Sequence, residues 1–132
     1  MNAHAWPAVI TLLNILLLLW VAGAAGRARG KYGVAAPATT GHPAFERAFR
    51  VQMNTLENTV IFLPALWLAA VYSSPLLAGA AGLVWLVGRV VYALAYYRDP
   101  AKRSAGFGIS LLGFFVLYVA AGVGVTRTLY TI

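Results

Sequence analysis

Arg47, Arg50, Asn54 and Glu57 follow one another at spacings of 3, 4 and 3. On an α-helix that spacing places all four on one stripe. Trp85, Arg89, Tyr92 and Tyr96 repeat the device further along, at spacings of 4, 3 and 4. Arg29, Gln52, Asn58 and Arg103 add further polar groups near the same ends of the apolar segments. Arg29, Arg50 and Arg103 are cations, Glu57 is an anion, and Gln52, Asn54, Asn58, Tyr92 and Tyr96 form hydrogen bonds. This set suits a mainly anionic ligand with one cationic group and several amides, such as a small zwitterionic peptide. Guanidinium groups grip carboxylates bidentately, and Glu57 can accept from an ammonium. The surrounding residues are apolar, so a second, lipophilic ligand would enter sideways from a bilayer. His4 and His42 are the two histidines and have no partners at ligand spacing, so no metal site is expected and both read as solvated.

These residues sit in a chain of 132 residues that is 61% hydrophobic and 10% charged. A soluble domain has about a quarter of its residues charged, so the composition points to an integral membrane protein of one domain. Four apolar stretches are long enough to span a bilayer, at about 5–26, 44–73, 76–97 and 104–126. The expected class is therefore all-α, a bundle of four transmembrane helices. The first stretch is not a signal peptide, because Arg27, Arg29 and Lys31 follow it and no basic residue precedes it. Residues 27–43 read as a loop broken by Gly, Pro and Thr. Pro43 and Glu46 suit the start of the second helix, Pro64 should bend it near Val60, and Ser73–Pro75 should end it. Arg98, Asp99 and Pro100 open a second basic loop.

The net charge of +7 arises from residues that flank the apolar stretches. That is the pattern of a topology signal, so no nucleic-acid partner is expected. The positive-inside rule puts both basic loops in the cytoplasm and both termini on the opposite side. Absence of cysteine excludes disulfides and requires any reacting thiol to come from a ligand. Bland readings compete with the ligand reading. Arg27, Lys31, Arg98, Lys102 and Arg127 read as headgroup anchors, and Tyr92 or Tyr96 alone would be interfacial aromatic belt. Asn14 reads as an interhelical hydrogen bond. A charge deep in a span must be offset, and a Glu57–Arg89 ion pair would account for both residues.

The stretch FERAFRVQMNTLENTVIFLPALW, with ATTGHPAFER before it and GLVWLVGRVVYALAYYRDPAKR after it, resembles the MAPEG family of membrane-associated proteins in eicosanoid and glutathione metabolism. The resemblance covers nearly the whole chain, and ERxxRxQxNxxE is its most specific part. It implies a homotrimer of four-helix subunits with glutathione as co-substrate between neighbouring subunits near the cytoplasmic face. It further implies that Arg50, Gln52, Asn54 and Glu57 bind glutathione together with Tyr92, Tyr96 and Arg29, and that Arg103 activates the thiol. Asn58 stands where a leukotriene-forming member has a ligand tyrosine, and Gly30 where it has a second arginine, which argues against leukotriene synthesis.

The activity this implies is a membrane glutathione transferase, with peroxidase activity as an extension, acting on lipophilic electrophiles or lipid hydroperoxides. A non-catalytic lipid-binding scaffold is the alternative. A small multidrug transporter fits less well, since the first span has no acid and Glu57 lies among arginines. The compact loops favour a bacterial inner membrane.

Overall fold

The computed structural model describes residues 2–132. Every element among them is helical: α1 (Ala5–Lys31), α2 (Pro43–Tyr72), α3 (Pro75–Arg98), a 3-10 turn at Pro100–Lys102, and α4 (Ser104–Tyr130). All four α-helices are long and apolar enough to cross a membrane. The helices pack side by side with apolar side chains on both sides. On α1, Leu12, Leu16 and Leu19 are more than 60% exposed while Asn14 is fully buried. That inverts the pattern of a soluble helix, as lipid is as apolar as leucine and the polar groups retreat to helix–helix contacts.

Two boundaries differ from the sequence expectation. α1 continues a further turn to Lys31, and the backbone N–H of Tyr32 closes it on the Ala28 carbonyl. Arg29 and Lys31 lie in that last turn, where positive charge stabilises the helix end. α4 likewise continues to Tyr130. Pro64 lies inside α2 without ending it. Pro43 and Pro75 begin their helices, and Ser74 Oγ accepts from Leu77 N at 3.2 Å as an N-cap.

His42 is not simply solvated. Its Nδ1 accepts from Ala44 N at 3.1 Å, which caps α2, and its ring stacks on Tyr32 with centroids 3.9 Å apart. His4 is half-buried against Trp67, at 6.2 Å between rings. Of the two, only His42 caps a helix with its side chain.

The core draws on all four helices, with most of its side chains from α2 and α3. Phe62 and Trp85 are stacked there at 3.7 Å with planes 5° apart, both almost wholly buried. Asn14 makes the interhelical bond expected of it: its Nδ2 donates to Thr59 Oγ1 at 3.3 Å. Thr59 Oγ1 donates in turn to the Thr55 carbonyl at 2.8 Å. Nearer the other end of the same seam, Trp67 Nε1 donates to Thr11 Oγ1 at 3.0 Å.

α3 and α4 approach most closely, because glycine lines the contact. A Cβ on Gly106 would collide with the backbone nitrogen of Tyr92, and one on Gly88 with that of Ser110. The small residues let the backbones meet directly, as in other membrane helix pairs. This contact carries the start of α4, with Arg103 just before it, against the Arg89–Tyr92 segment of α3.

Candidate functional site

A polar cavity of about 470 Å³ opens beside that contact. Asn54 and Asn58 line it from α2, Arg89 and Tyr92 from α3, and Arg103, Ser104 and Phe107 from the start of α4. Helical spacing explains the first two pairs: Asn54 and Asn58 are one turn apart, as are Arg89 and Tyr92. Asn54 Nδ2 donates to the Tyr92 hydroxyl at 2.7 Å, tying α2 to α3. Asn58 Nδ2 donates to the Asn54 carbonyl at 2.8 Å. Arg103 is exposed at the rim and donates through Nη1 to the Pro100 carbonyl at 2.7 Å. Its position follows from the turn before it, where Asp99 caps the 3-10 segment by accepting from Ala101 N at 3.0 Å.

The cavity has two guanidinium groups and no carboxylate in its wall. Sequence reasoning offset Arg89 with Glu57, and the structure overturns that pairing. Arg89 is 1% exposed and donates through Nη2 to Thr55 Oγ1 at 3.2 Å. Its guanidinium lies 4.1 Å from the centre of the Tyr92 ring. Glu57 is exposed on α2, outside the cavity wall. Arg50 and Glu57 form the outward part of their stripe, while Asn54 on the same stripe turns into the cavity and Thr55 and Thr59 are buried.

The other expected ligand residues fall elsewhere. Arg50 and Tyr96 line a neighbouring concavity of about 370 Å³ with Pro43, Glu46 and Arg47. Arg47 also donates through Nε to the Tyr97 carbonyl at 3.1 Å, which pins α2 to the end of α3. Gln52 is half-buried and lines neither space. Arg29 lies over the Phe45 ring at 4.6 Å and donates through Nη1 to the carbonyls of Val34 and Ala38, at 3.2 and 2.8 Å. Within one subunit, then, Arg29 fastens the α1–α2 loop. The structure brings Asn54, Asn58, Tyr92 and Arg103 together, and leaves Arg29, Arg50, Gln52, Glu57 and Tyr96 outside that cavity.

Three lining residues escaped sequence reasoning as members of this group. Arg89 was noticed but given to Glu57. Ser104 and Phe107 carried no signal of their own, although Ser104 directly follows Arg103 and Phe107 comes one turn later. A smaller recess of about 60 Å³ shares Asn58 and Phe107 with the cavity and continues to Ile61, Trp85, Leu111 and Phe114. Ser110 also lines this recess, so its wall between α2, α3 and α4 mixes polar groups with aromatic and aliphatic ones. Among the described residues no cluster of His, Cys, Asp and Glu could hold a metal ion.

The sequence model of the MAPEG family matches residues 4–123. The chain belongs to the MAPEG family. Among its relatives, an uncharacterised protein of Synechocystis is 51% identical over 116 residues, covering 88% of this chain and 85% of that protein. Human microsomal glutathione S-transferase 2 is 36% identical over 121 residues, covering 92% and 82%. Leukotriene C4 synthase of Cavia porcellus is 38% identical over 117 residues, covering 89% and 78%. As a MAPEG protein with four helices able to span a bilayer, the chain is a multi-pass integral membrane protein related to glutathione-dependent enzymes.

Proposed function

We propose that this MAPEG protein is a membrane-bound glutathione transferase. The observation that carries the reading is the cavity itself. Two guanidinium groups and two amides line a space of about 470 Å³ between helices long and apolar enough to cross a membrane. An anion bound there would offset the cations, and its apolar reaction partner would arrive from the lipid side.

A free thiol has a pKa of about 8.5, so only a few per cent is thiolate at pH 7. A guanidinium beside the sulfur favours the charged form and lowers that value. Arg103 cannot act as a base, since it holds its proton throughout. Its role is electrostatic: the S–H proton leaves to water, and the sulfur keeps the electron pair. The thiolate attacks an electrophilic carbon, a C–S bond forms, and the leaving group departs with its electrons. With a lipid hydroperoxide, the sulfur attacks the terminal oxygen and the alcohol leaves. A second glutathione then converts the sulfenic acid to disulfide and water. Asn54, Asn58 and Tyr92 hold the peptide by hydrogen bonds.

Arg50, Gln52, Glu57 and Tyr96 join the site through a homotrimer. At about 1.5 Å per residue, Glu57 lies roughly 22 Å from the Tyr72 end of α2, inside a hydrocarbon layer about 30 Å thick. An exposed carboxylate at that depth costs at least about 2–3 kcal/mol against lipid. Cover from a neighbouring copy removes that cost and turns the outward stripe of α2 into a second wall, with Arg29 at its edge. The basic loops lie on the cytoplasmic side of a bacterial inner membrane and both termini on the other, and residues 1–132 form one domain.

Arg103→Ala tests the reading. Conjugation of a dinitrohalobenzene should fall by about 100-fold or more, the usual loss when one stabilising donor is removed, while glutathione still binds. Unchanged conjugation would remove Arg103 from the mechanism. Binding without turnover in the unaltered protein would favour the lipid-binding scaffold instead.

A further inference from the structure

Arg89 is the most deeply buried charged side chain among the described residues, and the reaction above gives it no task of its own. One hydroxyl and one aromatic face are its neighbours, and its Nε has no partner. Leaving a buried cation unpaired costs several kcal/mol, so a structural role alone explains it poorly. The Thr55 hydroxyl that accepts from it belongs to a buried run of polar groups: Thr59 Oγ1 donates to the Thr55 carbonyl, and Asn14 Nδ2 donates to Thr59 Oγ1. A buried polar chain from α1 through α2 therefore ends on Arg89, and Arg89 ends on the cavity.

Tyr92 connects the guanidinium to that space. Its oxygen already accepts from Asn54, and its own proton has no acceptor among the described residues. The phenol is thus a donor waiting for an acceptor. A cation on the ring face draws electron density from the ring and leaves the phenolic hydrogen more positive. The charged or titratable groups facing the cavity are Arg89 and Tyr92 from α3 and Arg103 at the start of α4; α2 supplies the neutral amides Asn54 and Asn58.

We infer that Arg89 is a positioning residue for the sulfur, acting through Tyr92. It aims and strengthens a phenolic hydrogen bond to the thiolate, in the same cavity as Arg103. This rests on the glutathione reading above. Tyr92 donates without giving up its proton; the thiol proton still leaves to water, and no other bond changes.

The test is the pH titration of thiolate absorbance for bound glutathione in the unaltered protein, Arg89→Gln, Tyr92→Phe and the double variant. Calorimetry with S-methylglutathione, which has no ionisable thiol, reports binding separately. Because Arg89 lines the cavity, Arg89→Gln is read at a glutathione concentration set by its own S-methylglutathione affinity, so that all variants are compared at equal saturation. Its thiolate at pH 7 should fall about tenfold, the effect expected for a lost neighbouring charge. Tyr92→Phe should lower it as well, and adding Arg89→Gln to Tyr92→Phe should change little more, since the two act in series. Arg89→Lys should recover part of the thiolate, and it replaces Arg89→Gln in the same cycle if the glutamine variant does not fold. Equal thiolate in Arg89→Gln and the unaltered protein overturns the inference. So does an equal loss with and without the Tyr92 hydroxyl, which would mean that the charge acts without the phenol. If the unaltered protein binds no S-methylglutathione or forms no thiolate, the glutathione reading fails first and takes this inference with it.

Discussion

Gly106→Ala should damage the cavity without altering any side chain that lines it. The added Cβ would stand 2.8 Å from the Gly88 carbonyl oxygen and closer still to the Tyr92 backbone, whereas an ordinary contact begins at 3.4 Å. All of these are backbone atoms, so no rotamer change relieves the clash, and α3 and α4 must move apart. Overpacking of this kind costs about 1–3 kcal/mol. Alanine returns up to about 1 kcal/mol through its higher helix preference. The net loss is on the order of 1–2 kcal/mol, which should appear as a lower midpoint of thermal unfolding in a fixed detergent. The functional effect should be larger, because Arg103 and Tyr92 sit on the two sides of the contact that opens. A misplacement of about 1 Å costs roughly 100-fold in rate when groups must be aligned. Dinitrohalobenzene conjugation should therefore fall at least about tenfold at saturating glutathione. Gly108→Ala is the control, since nothing lies within 4 Å of its added Cβ. It should leave conjugation intact and stabilise by up to about 1 kcal/mol. Unfolding and conjugation unchanged in Gly106→Ala, or equal damage from Gly108→Ala, would refute the claim that this contact builds the site.

Other variants probe separate parts of the account. Phe62→Ala removes a fully buried ring stacked on Trp85 and should cost about 3–5 kcal/mol, read as loss of folded protein on heating in detergent. Asn14→Leu should stay within about 1 kcal/mol of the unaltered protein: it loses one interhelical bond, removes the unpartnered Asn14 Oδ1, and leaves Thr59 still donating to Thr55. Native mass spectrometry from mild detergent should give three copies per particle, and a monomer with full conjugation activity would contradict the proposed role of the outward α2 stripe.

The spans were readable because four long apolar runs leave a membrane chain little choice of structure. Pro43 marked the start of α2 through its local geometry, whereas Ser73–Pro75 read as the end of α2 and in fact also begins α3, with Ser74 as its cap. Spacing also grouped Arg89 with Tyr92, and the structure adds Asn58, one turn beyond Asn54, to the same cavity. What spacing does not give is the rotation of one helix against another. Thr55 and Glu57 are two residues apart, and only packing decides which faces Arg89. A polar threonine won, so the expected ion pair did not form. Arg29 shows the same dependence on packing. Its type suits an anionic ligand, but the carbonyls of Val34 and Ala38 lie within its reach once the loop folds back. Ser104 and Phe107 became visible as lining residues only when the Gly88–Gly106 contact set α4 against α3.

The most direct measurement is the ultraviolet absorbance of thiolate as glutathione is titrated into detergent-purified protein at pH 7, with calorimetry in parallel. The account predicts a saturable absorbance several-fold above the few per cent of thiolate that free thiol shows at this pH, lost in Arg103→Ala while the heat of binding persists. Heat of binding with no added thiolate, or neither signal, would contradict the claim that this cation-lined cavity exists to hold an anionic sulfur.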